Sequence, residues 1–266
     1  MEDLQVSVII PSYNSEKTIR QAVMSALSQE GVSLEVIVVD DGSVLPASEV
    51  LSDLLSDSRL RILRREENLG VAAARNHGII NAAGKYVALL DADDWWDQGK
   101  LSEQIDELER NKAVLCSTAR ELMSHDGVSL GRIIPVKKHI TYKELLKHNS
   151  IACSSVVVRR DVARIFPMEH DDAHEDYILW LKILKRYGSA IGIQKPYLKY
   201  RMSENSKSGN KLRSAVMTYK VYRYMGYSVF RSAIYFCSYA VHGIGKYAGV
   251  GKGSRRLELK HKRSGN

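Results

Sequence analysis

Cysteine is scarce. Cys116, Cys153 and Cys237 are widely spaced and odd in number over 266 residues, with no metal-ligand spacing. That excludes a disulfide framework and points to reduced thiols in a cytosolic compartment. A leader is not expected: Met-Glu-Asp-Leu-Gln is acidic and runs straight into an apolar stretch, unlike a signal or transit peptide. No long apolar run stands out either. The best candidate, residues 232–250, is interrupted by glycines, a lysine and a histidine, and is too weak for a spanning helix. Internal repeats and low-complexity tracts are absent, and no glycine-rich loop suited to a triphosphate is evident.

Acidic residues are nearly missing from one end. Residues 211–266 hold 12 Lys or Arg against one acid, Glu258. The remaining 27 basic and 30 acidic residues leave residues 1–210 at a net charge of −3, although the whole chain carries +8. A slightly acidic body thus carries a strongly basic tail, which calls for an anionic partner, either nucleic acid or a membrane surface. The body has the makings of a full core: 44% of residues are hydrophobic and 26% charged, in a length that suits one large domain or two small ones.

What is present is organised around Tyr86 to Asp97. A five-residue apolar run, Tyr-Val-Ala-Leu-Leu, ends abruptly in Asp91, Asp93 and Asp94. Such a run reads as a buried central strand, with the acids at its carboxyl end, where open α/β sheets place their ligands. Crowded carboxylates repel one another and suit a hard divalent cation, Mg²⁺ or Mn²⁺, that also holds substrate phosphates.

Upstream the same pattern repeats. Val6–Ile10 is a strand that stops at Pro11-Ser12-Tyr13-Asn14, and the following helix is expected to start with Asn14 or Ser15 as its cap and to end at Gly31. Leu34–Val39 is a second strand, ending in Asp40-Asp41-Gly42-Ser43. Glu49–Ser56 reads as a short helix, Leu60–Leu63 as a third strand and Val71–Ala82 as a helix after Asn68-Leu69-Gly70. Strand–helix alternation implies a mostly parallel sheet with helices on both faces. It gathers Tyr13 with Asn14, Asp40 with Asp41, and Asp91 with Asp93 on one edge.

The second half is less regular. Helices are expected at Lys100–Asn111, at Thr141–Lys147 with Thr141 and Glu144 spaced as a capping box, and at Tyr177–Tyr187 after the acidic loop 170–176. Strands are expected at Ala113–Thr118, Val128–Ile134, Ser154–Val158, Ala190–Ile193 and Tyr197–Arg201. The tail, Leu212–Val250, reads as one or two helices with Gly226 between them. Arg213, Lys220, Arg223 and Arg231 share roughly one quadrant, and many tyrosines suit the interface of an anionic membrane. The alternative is a helix packed on the body with a solvated basic face.

Four pieces in order, Val-Ser-Val-Ile-Ile-Pro-Ser-Tyr-Asn, Val-Val-Asp-Asp-Gly-Ser, Asn-Leu-Gly with Ala-Ala-Ala-Arg-Asn, and Leu-Leu-Asp-Ala-Asp-Asp, closely resemble glycosyltransferase family 2. The resemblance is dense over residues 5–100 and thinner to about 210. It implies a GT-A fold, a nucleotide-sugar donor, a Mn²⁺ or Mg²⁺ cofactor and inversion at the anomeric carbon. The division it implies is a nucleotide-sugar half (1–100), an acceptor and catalytic half (101–210) and a basic helical tail (211–266).

By the same resemblance Pro11, Tyr13, Asp40, Asp41, Arg75 and Asp91 belong to the nucleotide-sugar site. Tyr13 stacks on the base, Asp40 accepts from the uracil N–H, Asp41 helps hold the loop, and Arg75 either offsets phosphate charge or pairs with a nearby Asp. Asp93 is the metal ligand, and Asp94 caps the turn. His174-Glu175-Asp176 with Trp180 resembles the family's Glu-Asp motif. Asp176 is then the catalytic base, and Glu175 an acceptor ligand or the alternative base. Many relatives carry a His after the Tyr-Arg pair where this chain has Ser203, which leaves the third metal contact open, with His170 and His174 as other candidates.

These residues together imply an inverting transferase that moves one sugar from a UDP-sugar, UDP-glucose or UDP-galactose favoured, to a saccharide acceptor. A lipid-diphosphate-linked acceptor in bacterial surface-polysaccharide (O-antigen-like or capsule) synthesis is expected, with the chain cytoplasmic and peripheral to the membrane, and no nucleic acid as partner. A metal-dependent nucleotidyltransferase and a nucleotide- or nucleic-acid-binding protein are the alternatives.

Overall fold

The computed structural model describes residues 4–202 and 211–247. The first half alternates β1 (Val6–Ser12), α1 (Ile19–Leu27), β2 (Leu34–Asp40), α2 (Ala47–Val50), β3 (Leu60–Arg64), α3 (Val71–Asn81) and β4 (Tyr86–Leu89). After β5 (Trp95–Trp96) and α4 (Lys100–Asn111) come β6 (Leu115–Met123), β7 (Ser129–Ile134), β8 (His139–Thr141), α5 (Tyr142–Lys147), β9 (Val157–Arg159) and α6 (Arg160–Ile165). Then follow α7 (Glu175–Tyr187), β10 (Ser189–Arg201), α8 (Lys211–Tyr224) and α9 (Val229–Tyr247).

One sheet runs β3-β2-β1-β4-β9-β6-β10-β5, with β7 on β6 and β8 on β10. Every residue of β1, β2 and β4 is buried, which is why these strands are continuous apolar runs and not alternating ones. Their side chains still alternate between faces. Ile9, Ile37, Val39, Val87 and Leu89 join one core with Ile79 of α3 and Trp180 and Leu181 of α7. Val8, Ile10, Val36, Val38 and Ala88 join the other, with Ala22 and Val23 of α1 and Leu101 and Ile105 of α4. Gly78 lets α3 lie close on the sheet, because Ile9 fills the space that a Cβ there would need.

The expected α/β architecture with C-terminal helices is present, with local corrections. β9 runs antiparallel to β4 and β6, since an apolar run carries no mark of direction. Helix α1 starts at Ile19, not at Asn14 or Ser15. Asn14 takes a left-handed φ of 48° and instead ties two loops together: its N–H donates to Ser43 Oγ at 3.0 Å and its Oδ1 accepts from Val44 N–H at 2.9 Å. Residues 153–155 form a single tight turn before β9, and the two strands expected over 190–201 are one strand with a bulge between Ile193 and Leu198. The capping box at Thr141 and Glu144 is present in both directions.

The tail divides at Gly226, whose φ is 83°. Tyr222, Tyr227, Tyr235 and Tyr239 dock the tail on the body, as in the alternative of a packed helix. Tyr222 is fully buried and donates to Leu146 O at 2.8 Å, while Tyr177 of α7 donates to Leu145 O at 2.6 Å. Tyr227 bonds Tyr142 hydroxyl to hydroxyl at 2.8 Å, and Tyr235 and Tyr239 pack on the same core. No helix among the described residues is long and apolar enough to cross a membrane.

Lys100, fully buried at the start of α4, has its ammonium 3.8 Å from the centre of the Trp96 ring and no hydrogen-bond partner among the described residues. The ring favours the charge, but burial outweighs it and pushes the pKa down to about 7. The unfolded chain keeps this proton up to an ordinary value of 10.5, so the unfolded state binds more protons between pH 7 and 10.5 and stability rises across that window. Lys100→Met is expected to stabilise the protein at pH 7 by about 1–4 kcal/mol and to flatten this rise. Urea denaturation at pH 7 and pH 9.5 measures both effects.

Candidate functional site

The carboxyl ends of β2, β1 and β4 lie side by side, with Ser12 opposite Asp40 and Ile9 opposite Leu89. Tyr13 follows β1 and is 49% exposed at this edge, while Pro11 is buried within the strand. Asp40 is fully buried. Its Oδ1 accepts from Ser43 N–H at 2.9 Å, and its Oδ2 from Ala47 N–H at 2.9 Å and Arg64 at 2.8 Å. Burial works against this carboxylate, but hydrogen bonds from the Ser43 hydroxyl and the two backbone donors, with the Arg64 charge, outweigh it and hold the pKa below the ordinary value. Asp40 therefore has little acceptor capacity to spare while Arg64, itself 45% exposed, is docked. Asp41 fixes the next loop, accepting from Leu69 N–H and from Gly70 N–H at 2.9 Å, with Arg65 at 3.2 Å.

After β4 the chain turns sharply, with Asp94 N–H donating to Asp91 O. Asp91 and Asp93 are partly accessible, whereas Asp94 is buried. Burial, then the nearby Asp91 charge, raises the Asp93 pKa to about 6. The same causes, with both neighbouring carboxylates, push Asp94 far up. Arg201 at the end of β10 staples this turn. Its N–H donates to Asp94 Oδ1 at 2.9 Å and its Nε to Asp93 O at 2.8 Å, its guanidinium also reaches His125 O and Gln21 Oε1, and it covers the Trp95 ring.

Among the described residues no three His, Cys, Asp or Glu side chains converge as a preformed metal cage. The carboxylates nonetheless suit a divalent cation. Asp93 is partly accessible, and burial with the Asp91 charge makes its ionisation costly, a cost that a bound cation would relieve. Asp94 is turned inward and acts on the turn itself. One protein carboxylate, with phosphate and water completing the shell, is a usual Mg²⁺ arrangement. Ser203 lies outside the described residues.

Arg75 of α3 joins the two halves of this site. It is 5% exposed, and its two terminal nitrogens bind Asp91 Oδ1 at 2.5 Å and Glu175 Oε1 at 2.9 Å. Burial disfavours its charge, but Asp91 and then Glu175 more than compensate and raise its pKa. Of the two expectations for Arg75, the ion pair is present. Glu175 is consequently buried and engaged. Asp176, one step further round the first turn of α7, makes one hydrogen bond among the described residues, from Tyr177 N–H at 2.7 Å. Burial, then the Glu175 charge, raises its pKa to about 6.

The acidic loop before α7 is held from two sides. Asp171 lies against Gly70, at the start of α3, and accepts from Ala72 N–H at 3.4 Å. From the tail, Lys220 reaches Asp172 at 2.6 Å, the Tyr224 hydroxyl donates to the same carboxylate at 2.8 Å, and the Tyr224 ring stacks on His170 at 3.7 Å. His174 Nε2 lies 3.3 Å from Ser214 O. Both histidines therefore contact α8. Sequence reasoning missed Arg201 and this clamp; the sequence signals for them were the basic residue next to Tyr200 and the acid-free stretch around Lys220.

The sequence profile of "Glycosyl transferase family 2" matches residues 7–166. The putative teichuronic acid biosynthesis glycosyltransferase TuaG of Bacillus subtilis is 35% identical over 243 residues, covering 91% of this chain and 96% of that protein. The Escherichia coli UDP-Glc:alpha-D-GlcNAc-diphosphoundecaprenol beta-1,3-glucosyltransferase WfgD is 36% identical over 251 residues, covering 93% and 97%. Among solved structures, Staphylococcus aureus TarS residues 1–349 in complex with UDP-GlcNAc superposes with a TM-score of 0.70 at 16% identity, over 91% of this chain and 73% of that one.

Arg75→Met leaves Asp91 and Glu175 without their common cation. It is expected to cost about 3–5 kcal/mol in urea unfolding, with Arg75→Lys recovering only part, because an ammonium cannot span both carboxylates as the guanidinium fork does.

Proposed function

The chain belongs to glycosyl transferase family 2, and from that premise we propose that it is an inverting transferase that moves one sugar from a UDP-sugar to a hydroxyl of a lipid-diphosphate-linked saccharide. The observation that carries the catalytic part is the division of labour at the start of α7. Arg75 takes up Glu175, and Asp176 is left with a raised pKa and one backbone hydrogen bond.

The reaction follows from these groups. The acceptor hydroxyl oxygen attacks the anomeric carbon on the face opposite the diphosphate; the new C–O bond forms as the old one breaks, and the proton passes to Asp176. UDP departs with the bonding electrons. Asp93 is the residue assigned to hold Mn²⁺ or Mg²⁺, which when bound supplies positive charge to the leaving diphosphate. Tyr13 offers its exposed ring to the base. Asp40 serves as base acceptor once the half-exposed Arg64 swings outward, and otherwise it shapes the loop. Pro11, Asp41 and Asp91 hold the walls of the nucleotide site, Asp91 through Arg75.

UDP-glucose is the favoured donor and a lipid-diphosphate-linked sugar the favoured acceptor. The support is a relative of full coverage whose name specifies both. Cytoplasmic placement at the membrane face, and a role in assembling a bacterial surface polysaccharide such as an O-antigen, accord with such an acceptor and with the basic tail.

The test is release of UDP, rather than pyrophosphate, from a panel of UDP-sugars with Mn²⁺, Mg²⁺ or EDTA. Wild type is expected to turn over one donor with metal only. Asp93→Ala is expected to lose at least about 100-fold in kcat/KM, and Asp176→Asn a comparable factor while still binding UDP. A donor turned over equally well in EDTA would overturn the metal assignment, and full activity in Asp176→Asn would overturn the base.

A base must be ionised to accept a proton. With a pKa of about 6 for Asp176, and for the metal-binding Asp93 as well, kcat/KM is expected to fall at least about tenfold per pH unit below pH 6 and to level off above it. A profile flat down to pH 5 would rule out Asp176 as base.

A further inference from the structure

Helix α9 has two opposite faces. Ser232 is buried, and Tyr235, Phe236 and Tyr239 pack on the body. At about 100° per residue, Phe230, Ile234, Cys237 and Val241 fall within an arc of about 60° on the far side. Phe230 is 75% exposed, Ile234 51% and Val241 71%, and Cys237 is also exposed. Aromatic and branched side chains at that spacing are unusual on a helix face that no described residue covers.

The surroundings say what covers it. Arg231 flanks the row, and Arg223 is exposed at the end of α8. No acidic residue occurs between Glu204 and Glu258. Where α8 ends, a cleft of about 500 Å³ is lined by Phe166, Tyr224 and Met225 together with Lys182, Lys185 and Arg186, of which Lys182 is paired with Glu169. A second copy of the chain would bring two tails of 12 cations and one acid together, which like-charge repulsion opposes. A surface of anionic head groups over an acyl layer satisfies both the apolar row and the cations.

We propose that Phe230, Ile234, Cys237 and Val241 form the face by which the protein lies on an anionic bilayer. The helix rests in the plane of the interface, its apolar row at the acyl boundary and Arg231 among the phosphates. This deepens the lipid-linked-acceptor reading and rests on it. It also replaces the tyrosines with a defined set of contact residues. Helix α8, against which α9 packs through Tyr219 and Phe236, also contacts the acidic loop through Ser214, Lys220 and Tyr224, so the face belongs to the helical pair that holds the loop leading into the proposed base.

The test is flotation of the full chain with vesicles of phosphatidylglycerol and phosphatidylcholine, or of phosphatidylcholine alone. Wild type is expected to float with the anionic vesicles and to release as salt is raised. Phe230→Asn/Ile234→Asn is expected to weaken partitioning at least about tenfold. Arg223→Gln/Arg231→Gln is expected to weaken it only with anionic vesicles. Acceptor-independent release of UDP should be unchanged in both variants, which separates loss of docking from failure of the transferase reading. If wild type floats, the Asn variant does not, and neither releases UDP, the lipid face stands and the transferase reading fails. Wild type that does not float, or an Asn variant that floats as well as wild type, would overturn the proposal. So would an Asn variant that turns a dimer into a monomer in sedimentation equilibrium, because a second copy would then cover the row.

Discussion

A single buried cation holds the active edge together. Arg75 comes from the helix after β3, Asp91 from the turn after β4 and Glu175 from the start of α7, and the guanidinium binds both carboxylates at once. An arginine this deep is tolerated only because two anions meet it, and the anions are tolerated only because it is there. The consequence for chemistry is indirect. Asp91 is fixed two residues before Asp93, and Glu175 one residue before Asp176, so one arginine sets the starting point of both the proposed diphosphate end and the proposed base. The choice of arginine follows from geometry, because a planar fork spans two acceptors where an ammonium is a single point.

Asp91, Asp93 and Asp94 crowd one turn, and two of them have raised pKa values because burial and neighbouring anions make ionisation costly. Arg201 hydrogen-bonds the backbone and the inner carboxylate of that turn, and its charge with that of Arg75 only partly offsets the cost of ionising Asp93, where a metal-bound diphosphate is proposed to sit. Fold, family membership and charge distribution thus bear on the same few residues, and the proposed chemistry asks for nothing that the turn lacks except the cation itself.

Much of this was legible in the residues because the physics involved is local. Strands β1, β2 and β4 are apolar runs punctuated by Asp and Asn, helix α4 has an unbroken amphipathic pattern, and the Thr141 cap is a four-residue signal. Other features depend on partners far along the chain. Glu175 and Asp176 are equivalent to the eye, two acids opening a helix. Only the turn of about 100° between them sends one to Arg75 and leaves the other aside. Asn14 looks like a helix cap but spends its side chain on a loop 30 residues away. The direction of β9 and the inward turn of the tail's tyrosines were equally hidden, since a strand run has no arrow and a tyrosine suits a lipid interface or a protein seam alike.

The clamp of α8 on the acidic loop carries a consequence for how the protein comes to life during synthesis. The strands that bear Tyr13, Asp40 and Asp93 are complete within the first hundred residues and pair mainly with one another, so a nascent chain can assemble them early. The loop that leads into Asp176 is different. Its anchors Ser214, Lys220 and Tyr224 leave the ribosome only after α7 and β10 have been made. An unfinished chain therefore has its first-half strands before the loop that leads into the proposed base is held. Translation itself imposes an order: the Arg75–Glu175 pair and the Arg201 staple are also late, so the site is completed only when β10 and the last helices arrive.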